Sequence, residues 1–116
     1  FVSIFWKQNI IKRSLMLMKD KPFASYYEQI EKALKRNDVV SVNHRLAAFI
    51  ASYFDVIFAV NEKLHCGEKR LIKYAKDNLK ILPKDFEENL EKVLKQPNEK
   101  TLDILSEMVE NLRAVL

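Results

Sequence analysis

The sequence predicts an all-α fold, an antiparallel helical bundle of about five to six helices that forms a single domain over residues 1–116. The length is that of one domain, and 48% hydrophobic with 31% charged residues is typical of a folded chain. One glycine and three prolines leave few places for the tight turns that many short strands would need. Apolar residues also recur every three to four positions, which is the spacing of one helix face.

The first predicted helix spans about residues 1–19, and its apolar surface is wide enough to need more than one neighbour. Pro22 ends it, because proline cannot continue the helical hydrogen bonding, and a second helix follows to about residue 36. The third, over about residues 38–64 with Asp38 as N-cap, is central. Small and polar residues form a strip along it that we expect to face water, although such a strip also admits a neighbouring backbone: Ser41, His44, Ala48, Ala51, Asp55, Ala59 and Glu62.

A fourth helix is predicted over about residues 67–79, and a sixth over about residues 99–116. Between them, Pro83 is expected at the first position of the fifth helix, with Asp85 and Glu87 in its first turn. The positive end of the helix dipole favours acidic side chains there, and proline is favoured at that position. Four lysines form a basic edge along the fourth helix: Lys69, Lys73, Lys76 and Lys80.

Charge is distributed unevenly along the chain. Residues 1–80 carry fifteen Lys/Arg and eight Asp/Glu, whereas residues 81–116 carry five and eight. A basic part can face an anionic partner such as a nucleotide or RNA, but we favour a solvated lysine-rich surface, because no arginine cluster with interleaved aromatic residues occurs. The single Cys66 cannot form an internal disulfide, and no signal peptide or long apolar run is present, so we expect a cytoplasmic protein with no membrane contact.

The sequence holds no complete catalytic or metal-binding motif, and we expect no cofactor and no metal in this chain. One glycine cannot form a phosphate-binding loop, and a zinc site needs about four suitably spaced ligands where only His44, His65 and Cys66 are available. The Arg-x4–6-His motif of HEPN ribonucleases is also missing, because Arg36 stands too far before His44. An HEPN-like RNA-binding helical domain stays an alternative without that motif.

The segment between the third and fourth helices is the most informative part of the chain. Its Gly67 is the only glycine, and Lys69 and Arg70 follow in what is predicted to be the first turn of a helix. Because the helix dipole disfavours cations there, an anion held by these side chains and by free backbone N–H groups would explain them. The candidate substrate- or anion-binding residues are therefore Asn61, Gly67, Lys69, Arg70 and Lys73. The structural alternative is that Asn61 caps the third helix and Gly67 supplies a turn.

Asn61, Gly67, Glu68, Lys69 and Arg70 resemble a recurring block in bacterial and archaeal nucleotidyltransferase-like proteins. The block belongs to an uncharacterised helical region that follows the nucleotidyltransferase domain. The resemblance implies that the catalytic Gly-Ser and paired aspartate residues lie upstream and are absent here, so that this chain is a fragment of a longer protein. Magnesium and a nucleoside triphosphate would then serve the parent protein, not this fragment.

The resemblance extends over about residues 25–116, including Leu82-Pro83 and the segment 86–88, while Cys66 stands where the block has proline. It implies a non-catalytic C-terminal accessory domain that packs on the catalytic domain and helps to form the acceptor and nucleotide cleft. Lys69 and Arg70 would face that cleft. The alternatives are a dimerisation or structural module that uses the apolar surface of the first helix, and an RNA-binding module that uses the basic edge.

Overall fold

Six α-helices make up the described part of the chain, which comprises residues 3–20, 25–65, 67, 69–95 and 97–116 of this computed structural model. They are α1 (Ile4–Leu15), α2 (Tyr26–Lys35), α3 (Val39–Val60), α4 (Leu71–Asn78), α5 (Phe86–Lys95) and α6 (Thr101–Arg113), and a π-helical turn at Met16–Asp20 continues α1. No strand occurs among these residues, so the predicted all-α helical bundle is confirmed. The predicted break at Pro22 lies outside the described residues.

Side-chain caps start the first three helices. The hydroxyl of Ser3 accepts from the Trp6 N–H at 3.1 Å, and the hydroxyl of Ser25 accepts from the N–H three residues later at 3.2 Å. The carboxylate of Asp38, the predicted N-cap of α3, accepts from both the hydroxyl and the N–H of Ser41. These bonds lower the pKa of Asp38, because they favour its ionised form. Each cap satisfies a backbone donor that the helix itself leaves unpaired.

The core forms around α3, against which both α1 and α2 pack. Tyr53 of α3 is fully buried and stacks on Phe86 of α5 with ring centroids 6.2 Å apart. Phe54 meets the same ring edge-on at 5.7 Å, so one aromatic cluster joins α3 to α5. The remaining layer of the core comes from α5 and α6, which pack on each other through buried apolar side chains: Leu90, Val93, Leu105, Met108, Val109 and Leu112.

The helix α1 runs antiparallel to α3, since Lys7 near its start pairs with Glu62 just beyond the end of α3 at 3.4 Å. The expectation that the small and polar strip of α3 faces water is only partly correct. His44 is exposed, but Ala59 is fully buried and Asp55 is only partly exposed. Burial raises the pKa of Asp55, against the opposing fields of His65 and of Arg13 in α1.

Two predicted helix boundaries at the α3–α4 junction are wrong. The helix α3 ends at Val60, because Glu62 takes a left-handed conformation with φ of 56° that no α-helix continues. The helix α4 begins at Leu71, so Lys69 and Arg70 precede it and do not lie in its first turn. Arg70 itself is left-handed, with φ of 53°.

The predicted start of the fifth helix is also wrong. Pro83 is buried three residues before α5, which begins at Phe86. Asp85 takes a left-handed φ of 56° and cannot belong to the first turn, although its carbonyl accepts from the N–H of Asn89 at 2.9 Å. Glu87 does lie in the first turn, as the dipole argument predicts.

Candidate functional site

Asn61 fastens the end of α3 to the segment that leads into α5. Its Nδ2 donates to the carbonyl oxygens of Ile57 and Ile81, both at 2.8 Å, and its Oδ1 accepts from the Ile81 N–H at 2.9 Å. Both amide hydrogens are thus engaged by backbone acceptors. The structure assigns Asn61 the capping role that was the alternative to ligand binding, and gives it the further role of fixing Ile81.

A hydrogen bond between two neighbouring residues shapes the loop after α3. The Gly67 N–H donates to Nδ1 of His65 at 3.1 Å. Gly67 has a φ of 110°, a backbone conformation that residues with a Cβ rarely adopt. The imidazole of His65 lies on the ring of Phe58 with centroids 4.6 Å apart, and Phe58 in turn stacks on Tyr74 at 5.9 Å. Gly67 therefore serves as the turn, and His65 joins that turn to the aromatic side chains of α3 and α4.

Lys69 and Arg70 are exposed at the end of this loop. Neither has an ion-pair partner among the described residues, and Arg70 makes no side-chain cap bond to α4. The first N–H groups of α4 consequently have no side-chain acceptor in the part of the chain that the structure describes. Cys66 and Glu68, which flank Gly67 in the sequence, lie outside the described residues.

The predicted basic edge is only partly formed by α4 and only partly paired. Lys73 and Lys76 lie in the helix and meet carboxylates, whereas Lys69 precedes it, Lys80 follows it, and neither has an ion pair among the described residues. Lys73 pairs with Asp77 one turn later at 2.7 Å, and Lys76 pairs with Glu87 of α5 at 2.9 Å. The hydrogen bond and the charge of Glu87 raise the pKa of Lys76. Lys73 is thus close to the loop in sequence but already paired, whereas Lys69 and Arg70 are two adjacent loop cations without an ion pair among the described residues.

The same end of the molecule also carries the first turn of α1, because Lys7 reaches Glu62 at the start of the loop. That turn exposes Ile4, Phe5 and Trp6, of which Phe5 is 77% exposed. The first helix was predicted to need more than one neighbour for its wide apolar surface, and among the described residues this side of it stays uncovered. A shallow cavity of about 400 Å³ lies next to the loop, lined by Val60, Asn61, Glu62, Lys63, Asn78, Lys80 and Ile81.

No constellation for covalent or metal chemistry is seen in the described residues. No three His, Cys, Asp or Glu side chains among them come together as metal ligands would. Arg36, the arginine weighed for an HEPN motif, is bound to Asp38 at 3.0 Å. In residues 3–20, 25–65, 67, 69–95 and 97–116, no helix has the length and apolarity needed to cross a membrane.

Comparison with known proteins adds no identification. No family model, no curated protein and no solved structure matches the chain.

The role of His65 as the acceptor for Gly67 was missed in the sequence. A polar side chain two residues before a glycine is a signal for such a turn, but the side chains known for it are those of Asn, Asp, Ser and Thr.

Proposed function

We propose that this chain is a non-catalytic helical accessory domain of a nucleotidyltransferase-like protein, and that its α3–α4 loop contributes cations to the acceptor and nucleotide cleft. One observation carries the proposal: Lys69 and Arg70 stand exposed and without ion-pair partners among the described residues, in a loop anchored by Asn61. Adjacent lysine and arginine side chains bind phosphate or carboxylate groups through charge-assisted hydrogen bonds. The resemblance of the block around Gly67 supports the nucleotidyltransferase context.

The candidate residues divide into two groups under this proposal. Asn61 and Gly67 position the loop through backbone hydrogen bonds and a left-handed turn. Lys69 and Arg70 contact the anion. The ammonium group of Lys73 is mainly engaged by its ion pair with Asp77. Magnesium and the nucleoside triphosphate belong to the catalytic domain of the parent protein.

Calorimetric titration of ATP with magnesium into the full-length protein and into the 116-residue chain tests this function. We expect binding by the full-length protein, reduced about tenfold or more when Lys69→Ala and Arg70→Ala are combined, because each charged hydrogen bond is worth about 1.5–3 kcal/mol. The matched control replaces two exposed lysines of α5, Lys92→Ala and Lys95→Ala. Nucleotidyl transfer and ATP affinity that are equal in both double variants would refute the proposal.

Dimerisation is the second candidate function, and the exposed apolar first turn of α1 favours it. Ile4 is 60% exposed and Phe5 77%, and Met16, also exposed, lies about three turns further along. Apolar side chains grouped in this way mark interaction surfaces. Light scattering over a concentration series of the chain and of its Phe5→Ser variant would decide: a mass that stays monomeric in the wild type excludes dimerisation.

A further inference from the structure

We propose that the protonation state of His65 switches the conformation of the loop that carries Lys69 and Arg70. The switch rests on one contact, the hydrogen bond from the Gly67 N–H to Nδ1 of His65 at 3.1 Å. The donor is a backbone amide, so Nδ1 must offer a lone pair and the imidazole must be neutral, with its proton on Nε2. An imidazolium has N–H groups on both nitrogens and cannot accept this bond.

Protonation also offers His65 another partner. Asp55 of α3 is close enough for the charge of His65 to lower its pKa, against the burial that raises it. Arg13 of α1 acts on the same carboxylate. A charged imidazole is therefore drawn to Asp55, while the neutral ring accepts from Gly67.

Among the described residues, the bond to His65 is the only hydrogen bond that holds the backbone at Gly67. Gly67 is exposed, its φ of 110° is freely available to glycine, and a Cβ placed there would meet nothing within 4 Å. Histidine side chains as a class change charge between about pH 5 and 8, so the test covers that range. Because protonation removes one hydrogen bond, we expect the population of molecules in which the Gly67 N–H is bound to His65 to fall about fivefold.

The chain supplies an unambiguous reporter, because Gly67 is its only glycine. Labelling with ¹⁵N-glycine gives one amide signal, whose chemical shift and heteronuclear NOE report the turn and its order between about pH 5 and 7.5. We expect one sigmoidal transition in the wild-type chain, with a lower NOE on the acidic side. A Gly67 signal that shows neither a transition nor a loss of order would overturn the proposal.

Three variants separate the switch from a mere change of charge nearby. His65→Asn keeps an acceptor for the N–H two residues later, as in an Asx turn, so it should hold Gly67 ordered at every pH. His65→Ala removes the acceptor and should leave Gly67 disordered at every pH, while His44→Gln at the other histidine should titrate like the wild type. An unchanged pH transition in His65→Ala, or a transition in His65→Asn, would contradict the switch.

The consequence for anion binding rests on the proposed function, but the switch does not. The NMR measurement contains no anion, so its failure would reject the switch and leave Lys69 and Arg70 as candidate ligands. Conversely, a switch that is present in a protein that binds no ATP would reject the cleft function alone. If both hold, His65→Asn should make ATP affinity less dependent on pH than it is in the wild-type full-length protein.

Discussion

The hydroxyl of Tyr53 gives the sharpest test of the core. Tyr53 has no exposed surface, its ring packs between Phe54 and Phe86, and no described residue offers its hydroxyl a hydrogen-bond partner. Leaving such a group buried and unpaired costs about 1–3 kcal/mol. Tyr53→Phe removes the oxygen and keeps the ring, so we expect it to stabilise the protein by about 1–2 kcal/mol, less than the full range because a small gap remains.

The assay is urea unfolding of wild type and variant, followed by circular dichroism. Thermal unfolding gives a second reading, because at this chain length a gain of 1 kcal/mol raises the melting temperature by about 4 °C. The control is Tyr74→Phe, whose partly exposed side chain should change stability by less than about 0.5 kcal/mol. A Tyr53→Phe variant that is less stable than the wild type would refute the reasoning, because it would mean that the hydroxyl is hydrogen-bonded, for example to an internal water.

Alkaline pH provides an independent reading of the same residue. Burial raises the pKa of Tyr53, whereas an unfolded tyrosine loses its proton near pH 10. Above about pH 10 the unfolded chain thus binds fewer protons than the folded chain, and stability falls as the pH rises. We expect this part of the alkaline destabilisation to be absent in Tyr53→Phe, so the stability difference between variant and wild type should widen from pH 8 towards about pH 11.

Two further substitutions test the junction between α1, α3 and the loop. Asn61→Ala should lower stability by about 1–3 kcal/mol in urea unfolding, because three hydrogen bonds to Ile57 and Ile81 are lost; an effect below about 0.5 kcal/mol would contradict the anchoring role. Asp55→Asn should raise stability at pH 7 but not near pH 3.5, because a carboxylate whose folded pKa is raised loses stabilisation as it ionises. Equal stability changes at both values of pH would exclude ionisation of Asp55 as the cause.

The helices could be predicted because their pattern is local and repeated. Apolar residues at three-to-four spacing mark all six of them. Asp38 was recognisable as an N-cap because aspartate is favoured at that position, and in the structure its carboxylate accepts from the N–H three residues on. The errors fall where the backbone turns left-handed at residues other than glycine, namely Glu62, Arg70 and Asp85. Such conformations depend on contacts made by the surrounding chain, and residue type alone does not signal them.

The partners of each face could not be predicted from periodicity. The pattern of the first helix shows that its apolar surface is wide, but not that Leu15 is buried against the core while Phe5 stays exposed. The small residues along α3 were equally ambiguous, because a strip of this kind suits both water and a packed neighbour. In the structure Ala59 is buried, so at this position the strip meets packed protein and not water. This outcome depends on the antiparallel placement of α1, which the sequence pattern does not give.

The structure also changes which of the candidate binding residues are best explained by the fold and which by a ligand. Asn61 and Gly67 are both accounted for by the fold, Asn61 through three hydrogen bonds between its side chain and the backbone, and Gly67 through a turn with positive φ. No such account exists for the side chains of Lys69 and Arg70, which make no ion pair among the described residues, although the Arg70 carbonyl accepts from the Tyr74 N–H at the start of α4. Side chains that bind neither the core nor a neighbouring charge are free to bind a ligand, so a functional test on this loop should begin with these two cations and treat Asn61 as the variant that reports on folding.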